Sequence, residues 1–199
     1  MPSGQAEPDY PAILSSAAHD LRSPLSTIYG FARTIERIAP PPGPGAGFLA
    51  HILDAAQDMD RLLGHLSLLA RIGDGRFAPV PAPVDAADLA SRAAAGGAGE
   101  RGADADPATV QAAADEAVEA IVLLATCTRR LDPAHGTLTV CANGPAVVLT
   151  GVADEVVPFL GAGPGARDLA LSTSLVTLRA LGATIDVADG AAHVTFPTA

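Results

Sequence analysis

Apolar residues Leu14, Ala17, Leu21, Leu25, Ile28, Ala32 and Ile35 follow one another at intervals of three and four with one slip. That is the period of a helix with one face packed in a bundle. The run Ala39-Pro40-Pro41-Pro42-Gly43-Pro44-Gly45 then stops it, because each proline lacks an amide hydrogen and its ring clashes with the preceding turn. Three-four alternation resumes at Leu49, Ile52, Ala56, Met59, Leu63, Leu66 and Ala70 and ends near Gly73-Asp74-Gly75. Two long helices joined by a short loop predict an antiparallel hairpin. One hairpin leaves its apolar seam half covered. Pairing two of them into a four-helix bundle buries it, so a homodimer is the economical expectation, and packing of the hairpin on the rest of the chain is the alternative.

Beyond Arg76 the pattern becomes mixed. Pro79 to Pro83 reads as an interdomain linker, followed by a helix from about Asp85 to Ala95 and a Gly-rich loop. A helix capped by Asp106 is expected from Pro107 to Arg129. Strand-like runs Leu138 to Cys141 and Ala146 to Thr150 flank Asn143-Gly144, a turn signal. A helix from Asp168 to Leu181 and a hairpin of Thr184 to Val187 with His193 to Phe196 complete the order. Helix, hairpin, helix, hairpin is an α/β sandwich. The expected class is therefore α+β: a helical hairpin at 1–76, a linker at 77–84 and a small α/β sandwich at 85–199.

With 199 residues, 49% of them hydrophobic, the chain can bury a real core. Its net charge of −10, with no lysine and scattered arginines, leaves no basic stripe to follow a phosphate backbone, so nucleic acid is not expected as a partner. No apolar run approaches the roughly 20 residues that span a bilayer, and Met1 to Pro8 lacks the charged and apolar parts of a signal peptide. The expectation is a cytoplasmic protein without membrane contact. Cys127 and Cys141 have no metal-ligand spacing and read as reduced, buried thiols. His51, His65, His135 and His193 lie beside seam positions or in turn and strand segments, and a structural role is expected for each.

His19 is different. About 160° around the helix from both Ala17 and Leu21, it should face solvent. A neutral imidazole is a nucleophile at one nitrogen when the other carries the proton, and the adjacent Asp20 can hold that tautomer and stabilise the cation formed on modification. Pro24 removes the hydrogen bond to the Asp20 carbonyl and costs roughly 3 kcal/mol in a helix interior, which points to a functional reason for it.

The string His19-Asp20-Leu21-Arg22-Ser23-Pro24-Leu25, followed by Ile28, Tyr29, Gly30 and Phe31, closely resembles the H-box of sensor histidine kinases. The resemblance implies a dimeric helical hairpin in which His19 is the phosphoacceptor and Asp20 the acid that assists transfer. Ser23 stands where the family places a threonine or asparagine that removes phosphate from the partner, a departure that argues against such a phosphatase role. The second half resembles the family's ATP-binding domain in outline, including Leu181-Gly182-Ala183-Thr184-Ile185, but the expected chemistry is absent from its sequence. Thr126 or Ala125 stands where an asparagine should coordinate Mg²⁺. The strand Val147-Val148-Leu149-Thr150-Gly151 lacks the aspartate that reads adenine, and Asp168-Leu169-Ala170-Leu171 replaces a Gly-x-Gly helix start. Val152 to Arg167 is short for a nucleotide lid, and Gly161-Ala162-Gly163-Pro164-Gly165 has no Lys-Ser/Thr continuation and reads as a plain loop.

An intact histidine beside a degenerate ATP-binding fold resembles the dimeric histidine phosphotransferases of bacterial phosphorelays, closest to the alphaproteobacterial cell-cycle type, which shares the lead-in Asp9-Tyr10-Pro11-Ala12-Ile13-Leu14. That resemblance implies a phosphotransferase that shuttles a phosphoryl group between receiver-domain aspartates through His19 without binding ATP. It implies no cofactor of its own, with Mg²⁺ supplied by the receiver. The partners would be response-regulator receiver domains and a hybrid histidine kinase, docking near Arg22, Ser23, Ser26, Tyr29 and Arg33 with a second contact from the degenerate domain. Two alternatives stand beside it: a divergent ATP-dependent histidine kinase core and a non-catalytic pseudokinase scaffold.

Overall fold

The computed structural model describes residues 10–131, 136–152, 160 and 168–198, without the side chains of 12 and 13. It divides into two compact units, 1–77 and 78–199. His135, the Gly161–Gly165 loop and most of the Val152 to Arg167 segment lie outside the described residues.

The first unit is a hairpin of α1 (Tyr10–Ile38) and α2 (Pro44–Gly73). α1 runs on through Pro24. The break falls where the proline cluster requires it, and Pro44 opens α2 at a position where its missing amide costs nothing. Gly43 precedes it at φ 61°, a conformation that favours glycine.

The expected seams divide: Ala17 is exposed and Ala18 takes the inward place beside it, Leu53 joins the buried side, and the other positions fall on two stripes. Ala18, Leu25 and Ala32 of α1 are buried with Leu49, Leu53, Ala56 and Leu63 of α2, while Tyr29 and Leu66 are half-buried against them. The buried positions Ala18, Leu25 and Ala32 recur every seven residues, as do Leu49, Ala56, Leu63 and Ala70. Leu14, Leu21, Ile28 and Ile35 also recur every seven residues, but they are exposed, as are Ile52 and Met59. The spacing of three and four was legible; the facing of each position was not. A helix in a hairpin needs only the narrow side that meets its neighbour, and the rest of the apolar arc stays open.

The second unit is a sandwich of helices on a mixed sheet. Its elements are β1 (Ala82–Asp85), α3 (Ala86–Ala95), β2 (Glu100–Arg101), β3 (Thr109–Ala112), α4 (Ala114–Leu131), β4 (Thr139–Asn143), β5 (Ala146–Thr150), α5 (Leu169–Ala180), β6 (Thr184–Ala188) and β7 (Ala191–Thr195). The five-stranded sheet has the order β2-β4-β5-β7-β6, with β2 parallel to β4 and the other pairs antiparallel. β1 and β3 form a separate antiparallel pair. Ile121, Leu124, Leu171, Leu175 and Leu178 from the helices meet Val140, Val147, Leu149 and Val194 from the sheet in one buried core.

Three segments differ from expectation. Residues 82–84, read as linker, belong to β1, and Glu100–Arg101, within the expected Gly-rich loop, form β2. Thr109–Ala112, read as the first turn of a long helix, is β3, and the helix starts at Ala114. Val110 and Ala112 are buried on alternate positions, a period-two signature too short to outweigh the helix-like run behind it. Asp106 does not cap that helix; it adopts φ 45° in the loop before β3. Asp85 caps α3 by accepting a hydrogen bond from the Ala87 amide at 2.8 Å.

Candidate functional site

His19 projects from the third turn of α1 with 88% of its side chain exposed. Its neighbour Ala18 is fully buried against α2, so the imidazole leaves the helix beside a close approach of the two helices. The His19 Nδ1 lies 3.4 Å from Asp20 Oδ1, a long contact between two exposed side chains. In the tautomer whose Nδ1–H faces this carboxylate, Nε2 keeps the free lone pair. Pro24 lies just over a turn further on and removes the amide that would otherwise bond the Asp20 carbonyl. The hydroxyls beside it bond back along the helix: Ser26 Oγ donates to the Arg22 carbonyl at 2.8 Å and Thr27 Oγ1 to the Ser23 carbonyl at 3.2 Å.

Of the residues expected to meet a partner, Arg22, Ser26 and Tyr29 line one groove of about 740 Å³ between the helices. Ser23 is exposed outside it, and Arg33 lies further along α1, where it lines a shallower depression with Glu36. Arg33 nevertheless joins the groove through Tyr29: its Nε donates to Tyr29 Oη at 3.0 Å, its guanidinium sits 5.3 Å from the ring centroid, and its Nη1 pairs with Glu36 at 2.7 Å. The Arg33 hydrogen bond, and after it that of Gln57, lowers the Tyr29 phenol below its ordinary value.

The opposite wall comes from α2 and was not visible in the sequence. Gln57, Asp60 and Arg61 line the groove, and Arg22 Nε donates to Asp60 Oδ1 at 3.3 Å. A polar stripe flanking Ala56 and Leu63 was the available signal, but the register between the helices was needed to read it.

In the second unit the N-terminus of α5 is filled from within the chain. Asp168 is its cap, accepting hydrogen bonds from the Ala170 amide at 2.9 Å and the Leu171 amide at 3.2 Å, and its other carboxylate oxygen is held by Arg130 of α4. Burial opposes the Asp168 charge, but Arg130 and the two amides outweigh it and keep the carboxyl below its usual range. On α4, Thr126 donates its hydroxyl to the Val122 carbonyl at 2.8 Å, and Ala125 beside it is buried. Burial first, then the nearby Asp168 charge, pushes the buried Cys127 thiol up to about 11.

Residues 12–75 match the His Kinase A (phospho-acceptor) domain. The hairpin is related to the phosphoacceptor domain of histidine kinases. Among solved structures, full-length ShkA in complex with AMPPNP is similar at TM-score 0.67 and 20% identity, over 95% of this chain and 46% of that one. The chain thus spans about half the length of that relative. The histidine kinase AdeS of Acinetobacter baumannii is similar at TM-score 0.52 and 15% identity, over 89% of this chain and 98% of AdeS. A bacterial phosphotransferase aligns over 98% of both chains at TM-score 0.40 and 15% identity. At such identities the likeness is one of fold: a phosphoacceptor-type hairpin followed by an ATPase-like α/β sandwich. No curated protein matches the chain. The phosphoacceptor relation supports a role in histidine phosphorylation of the two-component kind, and among the described residues no helix is long and apolar enough to cross a membrane.

Proposed function

We propose that this chain is a histidine phosphotransferase of a cytoplasmic two-component phosphorelay, carrying a phosphoryl group between receiver-domain aspartates on His19 without using ATP. The observation that carries this reading is the Asp168 carboxylate seated on the α5 amides and paired with Arg130. A helix N-terminus is a ready anion site, and here it already holds the chain's own anion, whose charge repels a triphosphate. Thr126, its hydroxyl committed to the backbone, and the alanine beside it make poor Mg²⁺ ligands. The residues present do not fit a bound Mg²⁺–nucleotide.

The transfer needs little from this chain. The Nε2 lone pair of His19 attacks the phosphorus of an aspartyl phosphate, the N–P bond forms as the P–O bond breaks, and the partner aspartate leaves as a carboxylate. The ring, cationic after attack, keeps its Nδ1 proton toward Asp20, and the reverse sequence on a second receiver restores the neutral imidazole. The receiver brings the Mg²⁺ that offsets phosphoryl charge. Pro24 shapes the helix at the site, and Arg22, Ser26 and Tyr29 with Ser23 and Arg33 form the docking side of α1. The exposed seven-residue stripes on both helices support a homodimeric four-helix bundle.

Purified protein incubated with a receiver phosphorylated by acetyl phosphate is expected to take label on His19 and yield it to a second receiver, with His19→Ala inert in both. Incubation with ATP and Mg²⁺ is expected to leave it unlabelled; autophosphorylation would overturn the reading in favour of a kinase core. Intact receiver binding and cellular role in His19→Ala would favour a scaffold.

A further inference from the structure

We propose that Arg22 is the cation that receives the phosphoryl group carried by His19, and that Asp60 of α2 holds Arg22 away from it until the imidazole is modified. The proposal rests on His19 being the phosphoacceptor. Arg22 follows His19 by three residues, a spacing that places side chains on adjoining parts of one helix face. Long helical side chains lean toward the N-terminus over the preceding turn, which aims Arg22 at the His19 patch. In the unmodified chain its Nε instead reaches across the groove to Asp60 Oδ1 at 3.3 Å. The pair is open, with Arg22 44% and Asp60 65% exposed, so it is weakly held and competes poorly with a stronger anion.

A phosphoryl group on Nε2 brings close to two negative charges and three acceptor oxygens within a turn of Arg22. A planar guanidinium pairs with such oxygens through two parallel N–H donors, whereas the single Nε contact to Asp60 uses one. Phosphorylation therefore breaks the Arg22–Asp60 link across the groove and frees the Asp60 carboxylate, so the groove wall records the state of the histidine.

The test uses phosphoramidate, which needs no partner protein. Nε2 attacks phosphorus, the N–P bond to His19 forms as the bond to the ammonium nitrogen of phosphoramidate breaks, and ammonia leaves with the electron pair. With ammonia held fixed, the plateau ratio of phosphorylated to free His19 is read by ³¹P NMR. Arg22→Gln should lower the ratio about threefold to tenfold, Arg22→Lys less. Asp60→Asn should raise it severalfold, and this gain should vanish when Arg22→Gln is also present. An unchanged ratio in Arg22→Gln, an equal Asp60→Asn gain without Arg22, or no labelling of His19 overturns the proposal. Labelling by phosphoramidate with no transfer from a phosphorylated receiver instead sinks the relay reading and leaves the Arg22 result to stand on its own.

Discussion

Replacing Asp168 tests both halves of the argument about the second unit. Its carboxylate caps two amides of α5 and holds Arg130 of α4. Loss of an N-cap acceptor costs about 0.5–2 kcal/mol. Arg130 is 59% exposed, so solvent screens the pair and its loss adds at most about 1 kcal/mol. Asp168→Ala should therefore open the start of α5 by ~1–2 kcal/mol, seen as roughly 5- to 30-fold faster hydrogen exchange at the Ala170 and Leu171 amides. Asparagine caps about as well as aspartate, so Asp168→Asn should cost much less and report mainly the lost charge. The sign with pH follows from a carboxyl held below its ordinary value. The advantage of wild type over Asp168→Asn should be complete above the unfolded value near ~3.9 and disappear as pH falls through the lower folded value. Asp168→Gly removes the charge that repels phosphate, yet should not confer ATP binding, because no metal ligand is restored on α4. Exchange at both amides within twofold of wild type in Asp168→Ala would refute the capping argument, and tight ATP binding by Asp168→Gly would refute the assignment of a site lost at several positions.

Other consequences can be checked more briefly. Ile28→Glu places a charge in the exposed apolar stripe and should shift the protein from dimer to monomer in light scattering, whereas the same change at Arg37 should not. Leu25→Ala empties a buried hairpin position, 4% exposed, and should destabilise the hairpin by about 2–5 kcal/mol in denaturant titration followed by Tyr29 fluorescence. A Cβ on Gly99 would overlap the Leu138 carbonyl oxygen, so Gly99→Ala should displace β2 and lower the melting temperature, with an overpacking cost of roughly 1–3 kcal/mol. Cys127, buried with its thiol near 11, should resist a thiol reagent at pH 8 far longer than the half-buried Cys141.

The hairpin and the sandwich could be read from sequence because both rest on patterns that span many residues. Three-four spacing over Leu14 to Ala70 required two helices, and the helices expected from about Asp85 and Asp168 start there, whereas Asp106, read as a cap, lies in a loop. β1 and β3 escaped because four-residue strands at the margin of a domain carry too few alternations to compete with a helix-like run. His19, Asp20 and Pro24 could be nominated from sequence because their pattern is local. Gln57, Asp60 and Arg61 could not, because the groove joins positions more than twenty-five residues apart and exists only once the two helices have a fixed register.

The outward direction of His19 is a matter of phase. The buried position directly before it, Ala18, belongs to the stripe that meets α2, and Leu21 two residues later belongs to the stripe left open. The histidine lies about 100° from the first and about 160° from the second, outside the narrow arc the two stripes share, and exchange with Ala18 would hide the imidazole and open the hairpin. A single-residue insertion between Leu14 and Ala18 would turn everything before it by about 100° relative to His19 while leaving the H-box string intact. Helical chains of this kind can thus lengthen freely in the loop between α1 and α2, but upstream of the histidine they tolerate change in steps of whole heptads.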